Sequence, residues 1–390
     1  MTSDREPAAK HPVQPPQDQA RDQRRKRRKG AGAQSNRASR YLARHSEAVD
    51  DGWSVDPQAD QPPVRVELLA DRGKTLLTLN TSPDIPFDRS INPYKGCEHG
   101  CIYCFARPTH AWLDLSPGLD FERKIFYKTN VQSHLRTLFA RQDYRCAPIA
   151  LGTNTDPYQP VERQQQVTRK ILLTLLAHRH PVTIVTKGQG VLRDLELLTA
   201  LAELNLVKVM VTVTTLSRVL KTRLEPRTAS PNKRLAIIAA LAEARIPVGA
   251  MVAPMIPYIN DQELEDIVAA SYEHGARELQ YILLRLPLEV APLFEEWLHV
   301  HYPQRANRVM SVIRQSRGGQ VYDARWGVRM RGEGPFAQLL AARFARALRQ
   351  HGLAGAKVPP LRTDLFRPHT QDLRPARVNA HEPQQDLFSD

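Results

Sequence analysis

Residues 94–104 read Tyr94-Lys95-Gly96-Cys97-Glu98-His99-Gly100-Cys101-Ile102-Tyr103-Cys104. This stretch holds three of the four cysteines in the spacing Cys-x3-Cys-x2-Cys. A tight group of cysteines with one isolated elsewhere favours ligand chemistry in a reducing cytosol over a disulfide framework. Gly96 and Gly100 permit a tight loop whose backbone amides approach the sulfurs.

The number of thiols indicates the kind of centre. Structural zinc sites need four ligands, usually in two separated pairs, and the sequence has no second pair. His99 lies between two of the cysteines and can hardly share a tetrahedron with all three. Cys146 is isolated and is predicted to be a small buried hydrophobe rather than a ligand. Three close thiolates fit a cubane iron–sulfur cluster with one iron open, and zinc is the weaker alternative.

Length and charge bound the class of protein. The chain has 390 residues, enough for two or three domains. No apolar run reaches membrane-spanning length and no signal peptide precedes the body, so we expect a cytoplasmic protein. The net charge is +14, with +6 in residues 1–50, +9 in residues 301–357 and none in residues 51–300. Two basic segments around a neutral body favour a polyanionic partner, most commonly nucleic acid.

Composition divides the chain into five parts. Residues 1–60 are polar, contain the basic run 24–29, and are predicted to be a disordered arm. Residues 61–89 alternate like a short hairpin or strand pair. The body covers 90–300, a basic helical extension covers 301–357 with helices at 307–316 and 336–351, and a flexible tail covers 358–390.

The body alternates short apolar runs with helix-length amphipathic segments. Six such units imply a parallel sheet with right-handed crossovers, either an open doubly wound sheet or a partial barrel, with chemistry at the carboxyl ends of the strands. Ser230 and Pro231 predict an N-cap and a first helical residue. The predicted strands are Ile91–Pro93, Ile149–Gly152, Val182–Thr186, Val207–Val213, Val248–Ala253 and Leu279–Leu284. The predicted helices span 131–141, 163–178, 191–203, 231–244, 261–274 and 290–300.

The cysteine spacing followed by six such units resembles the radical S-adenosylmethionine (SAM) superfamily over about residues 85–300. The resemblance implies an α/β fold, a partial (β/α)6 barrel. It implies that Cys97, Cys101 and Cys104 hold a [4Fe-4S] cluster whose open iron binds the methionine moiety of SAM. It also implies reductive cleavage of SAM to a 5′-deoxyadenosyl radical that abstracts hydrogen from a substrate, with electrons from an external donor.

Two longer segments look like the subfamily related to spore photoproduct lyase. They are Ser82-Pro83-Asp84-Ile85-Pro86-Phe87-Asp88-Arg89-Ser90-Ile91-Asn92-Pro93-Tyr94-Lys95-Gly96-Cys97 and Thr153-Asn154-Thr155-Asp156-Pro157-Tyr158-Gln159-Pro160-Val161-Glu162. The resemblance assigns SAM-binding roles by position: the adenine side to Tyr103, the carboxylate to Lys187 and the ribose hydroxyls to Thr212 and Thr214. It assigns the amino group to Thr153, Asn154, Thr155 and Asp156.

One departure concerns the hydrogen donor. Spore photoproduct lyase has a donor cysteine near the end of its second strand, whereas residues 151–156 contain no sulfur and Cys146 precedes the strand. Tyr158 and Tyr281 are therefore the candidate catalytic residues, or the reaction differs from that of the lyase. Arg223, Glu225 and Arg227 are expected to form a charged loop, either a phosphate anchor or a surface ion-pair group.

These features predict a radical SAM enzyme that acts on nucleic acid, in the manner of a DNA-repair enzyme. The alternatives are action on RNA, protein or a small molecule, and a non-enzymatic iron–sulfur protein that binds nucleic acid. Gln384, Asp386, Leu387 and Phe388 resemble the pentapeptide that binds bacterial sliding clamps, which predicts a clamp as partner. The related string Thr363-Asp364-Leu365-Phe366 lacks the glutamine and is expected to pack against the barrel.

Overall fold

A computed structural model describes residues 30–41, 66–73, 75–355 and 358–369. Its principal sheet contains six parallel strands, and a short antiparallel strand adds to one edge. The parallel strands are β3 (Arg89–Ile91), β6 (Ile149–Leu151), β7 (Val182–Thr186), β8 (Val207–Thr212), β9 (Val248–Met255) and β10 (Glu278–Leu283), and the edge strand is β2 (Thr78–Leu79).

The six parallel strands lie side by side in chain order, from β3 through β6, β7, β8 and β9 to β10. A doubly wound sheet would reverse this order at a switch point, so the sequential order identifies the partial (β/α)6 barrel. The strands are short runs of buried aliphatic residues, as in Val207–Thr212, where five of six side chains are buried. Such runs suit parallel strands that are covered on both faces.

Helices follow the strands and cover the sheet. Ser230 accepts a hydrogen bond from the Lys233 amide and Pro231 takes the first turn, which confirms the predicted cap. The helices in the described residues are α1 (Leu119–Arg123), α2 (Val131–Phe139), α3 (Glu162–Gln165), α4 (Val167–Ala177), α5 (Leu195–Glu203), α6 (Arg218–Leu224), α7 (Pro231–Glu243), α8 (Leu264–Glu273), α9 (Val290–His301), α10 (Pro303–Gln315), α11 (Val328–Arg331) and α12 (Gly334–Gln350). Short 3-10 helices span Arg107–Leu113, Gln189–Asp194 and Asp261–Glu263.

The predicted hairpin before the barrel is wrong. β1 (Glu67–Asp71) joins a second, three-stranded sheet, where it pairs in parallel with β5 (Lys124–Lys128), and β5 pairs with β4 (Tyr94–Lys95). β2 instead pairs antiparallel with β3. The alternating pattern correctly indicated strands, but strand pattern alone does not identify the partner strand.

Part of the arm that composition predicts to be disordered has a defined place. In residues 30–41 the amides of Gly32 and Ala33 donate to Glu122 at 3.1 and 2.8 Å, and Arg40 pairs with Glu289. This segment is held by backbone hydrogen bonds to Glu122 and by one ion pair. Such polar contacts can order a segment that has few aliphatic residues. The rest of the predicted arm, including the basic run 24–29, lies outside the described residues.

The C-terminal extension is helical as predicted, since α10 packs on α9 and α12 packs on α8 and β10. Residues 358–369, assigned to the flexible tail, instead lie across the amino-terminal ends of β7 and β8. Phe366 packs there against Phe139, Tyr144 and His180 with ring centroids 5.3–5.5 Å apart. This contact confirms the expected packing of the string 363–366. No helix in the described ranges is both long and apolar enough to span a membrane.

Candidate cluster and cofactor site

The cysteine loop follows β4 and is fixed by backbone hydrogen bonds. The Cys97 amide donates to the Phe121 carbonyl at 2.9 Å, and the Ile102 amide donates to the Leu224 carbonyl at 3.1 Å. Cys97 and Cys101 are buried and Cys104 is half-buried. The loop therefore presents its three thiols inward, away from water.

Glycine is required at two positions of this loop. Gly96 and Gly100 have φ values of +81° and +65°, where other residues are strained. A Cβ on Gly96 would lie 2.9 Å from the Lys124 carbonyl oxygen, and one on Gly100 would lie 2.8 Å from Glu122 Oε2. These contacts explain the two glycines that the sequence places beside the cysteines.

The donor set fits a cluster shared by three thiolates. Cys97 and Cys104 pack against the same residues, Ala106 and Phe121, and Cys101 lies within electrostatic range of both. Among the described side chains, no three His, Cys, Asp or Glu groups converge on one point as around a single metal ion. Each thiolate of a cubane cluster binds a different iron, so such a cluster needs three sulfurs around a shared space.

Electrostatics at Cys101 also suit a cation-bound thiolate. Burial, and then the nearby Glu225, raise the pKa of this thiol well above its usual value, while Lys187 acts in the opposite direction. A bound metal deprotonates a thiol that burial would otherwise keep neutral. The Cys101 thiol therefore keeps its proton until a metal binds.

A buried polar network lies beside the loop. Glu225 is fully buried and accepts hydrogen bonds from Tyr103, Thr214 and Arg234, with Thr214 Oγ1 at 2.8 Å. Arg234 also donates to the Thr212 carbonyl at 3.0 Å. The structure thus brings together the predicted residues Tyr103, Thr212 and Thr214 through two residues that the sequence did not identify in this role.

Lys187 follows β7 at its carboxyl end, as predicted. Burial acts to lower the pKa of its ammonium, but Cys101 and Glu225 outweigh burial and raise it. The side chain is thus a cation within electrostatic range of Cys101 and Glu225. A cation held there can pair with a carboxylate ligand.

The residues after β6 have mostly internal partners. Asp156 accepts from Thr186 Oγ1 and the Lys187 amide, both at 2.7 Å, and lies 3.3 Å from His99 Nδ1. Although burial opposes it, the interaction with His99 lowers the pKa of Asp156 to about 2. Asp156 therefore ties the ends of β6 and β7 to the cysteine loop.

The neighbouring Thr153, Asn154 and Thr155 also bond within the protein. Thr155 Oγ1 donates to the Tyr94 carbonyl at 2.9 Å, and the Asn154 amide donates to Asn92 Oδ1 at 3.0 Å. Thr153 Oγ1 lies 3.4 Å from the same Asn92 oxygen. These contacts order the end of β6 beside the thiol loop.

The two candidate tyrosines are not among the residues gathered at the thiols. Tyr158 donates to Asp194 at 3.1 Å. Tyr281 packs against Phe344 of α12, with ring centroids 4.8 Å apart, and its buried hydroxyl has no hydrogen-bond partner in the described part of the chain. Cys146 precedes β6, at the end of the strand opposite the cysteine loop.

The charged loop predicted from Arg223, Glu225 and Arg227 is not one group. Glu225 is buried in the network above, Arg223 lies over the ring of Tyr302 at 5.2 Å, and Arg227 bonds to the Glu98 carbonyl and Glu122. The prediction failed because neighbours in sequence face different partners once the chain turns into α7. Only the tertiary contacts of Glu225 reveal its role.

Comparison with known proteins agrees with this arrangement. Residues 91–270 match the family described as the Radical SAM superfamily. An uncharacterized protein of Mycobacterium tuberculosis is 36% identical over 242 residues, which cover 61% of this chain and 71% of that protein. An uncharacterized protein of Methanocaldococcus jannaschii is 26% identical over 55% of this chain and 76% of its own length.

Solved structures share the fold. A single-substitution variant of spore photoproduct lyase superimposes with a TM-score of 0.53 at 18% identity, over 74% of this chain and 80% of that chain. Another variant of that lyase, with bound AdoMet and dinucleoside spore photoproduct, gives a TM-score of 0.50 at 15% identity, over 73% and 78% of the two chains. With its three-cysteine loop, sequential parallel strands and family match, the chain belongs to the radical SAM superfamily and is an enzyme of that type.

Proposed function

We propose that the chain binds a [4Fe-4S] cluster through Cys97, Cys101 and Cys104, binds SAM beside it, and abstracts hydrogen from a nucleic acid. The observation that carries the proposal is the placement of Lys187 and the Glu225–Arg234 network directly beside the three-cysteine loop. The cluster, when bound, supplies the electron that cleaves SAM to methionine and a 5′-deoxyadenosyl radical. Side chains of the barrel bind SAM, fix the polar groups around it and exclude water.

Those side chains have separable tasks. The Lys187 ammonium pairs with the carboxylate of the methionine moiety. Glu225 holds the Tyr103 hydroxyl and Thr214 Oγ1 in fixed positions, and Arg234 neutralises the carboxylate that does so. Because the network is buried, water is excluded from the place where a reactive radical would otherwise be quenched.

Charge supports nucleic acid as the substrate. The chain carries +14 overall, concentrated in its N-terminal part and its C-terminal extension, and phosphate neutralisation by Lys and Arg dominates nucleic-acid affinity. The fold is also that of a lyase solved with a dinucleoside photoproduct. The end of β6 has no cysteine to return hydrogen to a product radical, so we propose a reaction other than photoproduct reversal.

Isotope transfer tests this substrate assignment. The reduced, reconstituted enzyme is given SAM and either DNA, RNA or protein purified from cells grown in deuterated medium. Deuterium in the 5′-deoxyadenosine, measured by mass spectrometry, is expected with DNA or RNA and absent in the Cys101→Ala variant. Transfer from deuterated protein alone would contradict the nucleic-acid proposal and support the protein alternative.

Two partners complete the proposal. An external donor must supply the electron, and a sliding clamp would bring the enzyme to DNA through Gln384, Asp386, Leu387 and Phe388, which lie outside the described residues. Titration of purified clamp with the intact chain and with a deletion of residues 384–388 tests the second partner. Equal affinity of the two proteins would remove the clamp from the proposal.

A further inference from the structure

A cavity of about 630 Å³ opens on the outer side of the cysteine loop. Its walls come from the segments after β6, β7 and β8, together with His99 of the loop itself. It therefore lies at the same carboxyl-terminal edge of the sheet as the thiols. Six cationic side chains line it: Arg163, Arg193, Arg218, Lys221, Arg227 and Lys233.

Several of these cations have no anionic partner. Arg163, Arg218 and Lys233 are exposed, and no described carboxylate forms an ion pair with any of them. Lys221 is only 8% exposed, yet the hydrogen bond of its ammonium is to the Pro226 carbonyl, at 3.2 Å. Burial, reinforced by the nearby Arg234, lowers the pKa of Lys221, although Glu225 and Cys101 act in the opposite direction. A buried ammonium is costly unless it is paired. An anion bound in the cavity would therefore be stabilised by these cations.

The carboxylate in the cavity wall does not pair with the exposed cations. Glu162 is the carboxylate in the cavity wall, and it is 2% exposed. Its oxygens already accept hydrogen bonds from Tyr94, the Thr168 amide and Arg193. Arg193 neutralises this charge, and Arg227 pairs with Glu122 outside the cavity. The exposed Arg163, Arg218 and Lys233 therefore face the open volume without an ion-pair partner among the described residues.

The polypeptide backbone adds to the positive potential. In the cavity wall, Ser230 is the N-cap of α7 and Lys233 belongs to the first turn of this helix of 13 residues. The amino-terminal end of a helix carries a partial positive charge and favours anions such as phosphate. The helix end and the side chains therefore act in the same direction.

We infer that this cavity is a phosphate-binding site that holds the backbone of a nucleic acid against the outer side of the cysteine loop. The inference rests on the proposed function, since it supplies the contact surface for that substrate. Arginine forks bind phosphate oxygens in pairs, and spaced cations around an open cavity suit successive phosphates better than one small anion. An acidic protein segment is the competing ligand, and the test below separates it.

Binding of a labelled oligonucleotide at several salt concentrations tests the inference. The cavity variant combines Arg163→Gln, Arg218→Gln and Lys233→Gln. These three side chains are exposed and form no ion pair with the described residues, so we expect the fold and the iron site to stay intact. The matched control combines Arg136→Gln, Arg145→Gln and Arg245→Gln, which remove the same charge at exposed positions of the neutral body, outside the cavity and outside both basic segments. We expect the cavity variant to bind the oligonucleotide at least about tenfold more weakly than the wild type. For a single strand, its negative slope of log K against log salt should become less steep by about two.

Three results would overturn the inference. The first is unchanged affinity of the cavity variant, and the second is an equal loss in the control variant. In both cases nucleic acid still binds and the proposed function stands. The third is a poly-glutamate peptide of equal charge that binds wild type as tightly as the oligonucleotide and loses as much in the cavity variant. A wild-type chain that binds no oligonucleotide would instead contradict the proposed function itself.

Discussion

Glu225 and Arg234 form an ion pair inside the barrel, with side chains 0% and 2% exposed. Burial raises the pKa of the Glu225 carboxyl, but Arg234 and then Lys187 outweigh it and lower the pKa to about 2. The pair therefore stays charged at neutral pH. It connects the cysteine loop, through Tyr103, to β8 and α7.

Glu225→Gln should destabilise the protein strongly, because it leaves the Arg234 charge buried without compensation. Breaking one side of a buried ion pair costs about 3–5 kcal/mol, measured as the free energy of unfolding in urea. Asp143→Asn breaks the exposed pair with Arg141 and serves as control, with no measurable change expected. Equal effects of the two substitutions would show that the Glu225 network does not stabilise the barrel.

Lys187→Ala should weaken SAM binding while leaving iron content unchanged. A hydrogen bond to a charged group is worth about 1.5–3 kcal/mol, so the affinity should fall about tenfold to a hundredfold. Equilibrium binding to the reconstituted protein measures this, with Lys170→Ala as the control at an exposed lysine. Unchanged affinity would remove Lys187 from the cofactor site.

Gly32→Ala should detach residues 30–41 from the cysteine loop. A Cβ on Gly32 would lie 1.7 Å from the Gly100 carbonyl oxygen, a contact that the backbone can relieve only by moving apart. Hydrogen exchange of the Gly32 and Ala33 region should accelerate, and iron retention should fall, because Gly100 lies between two cluster ligands. The exposed Ala38→Ser is the control within the same segment, and equal exchange in both variants would contradict the anchoring role.

Acid should destabilise the protein through His180, a buried ring that packs against Phe139 and Phe366. Burial lowers the pKa of His180 from about 6.5 to about 3, so the folded protein keeps this ring neutral where the unfolded chain protonates it. Its contribution to stability is therefore complete above pH 6.5 and is lost as the pH falls from there toward 3, by about 1.4 kcal/mol per pH unit. His180→Gln should flatten the dependence of the unfolding free energy on pH in this range, and an identical slope would contradict the assignment.

The sequence predicted the repetitive part of the fold well. Val182–Thr186 is a strand with the predicted bounds, and α7 begins at its predicted cap, because these elements follow from local periodicity and capping chemistry. The three candidate cluster ligands could also be predicted from the sequence, because ligand type and spacing are properties of one short segment.

Features that depend on distant contacts were not predictable in this way. Glu225 looked like one member of a surface loop, and its burial depends on Tyr103, 122 positions earlier, and on Arg234. Residues 30–41 looked disordered because their composition offers little apolar surface, yet they are held by Glu122 and Glu289. Composition measures the capacity for burial and does not register such specific polar contacts.

The most direct test of radical chemistry at this site is the amount of 5′-deoxyadenosine formed anaerobically from SAM after chemical reduction. The wild-type protein and Cys146→Ala, both loaded with iron, should form it. Cys97→Ala, Cys101→Ala and Cys104→Ala should lose the cluster absorbance at about 400 nm and form no 5′-deoxyadenosine. A wild-type protein that retains iron but yields no more 5′-deoxyadenosine than Cys97→Ala would contradict the proposed chemistry.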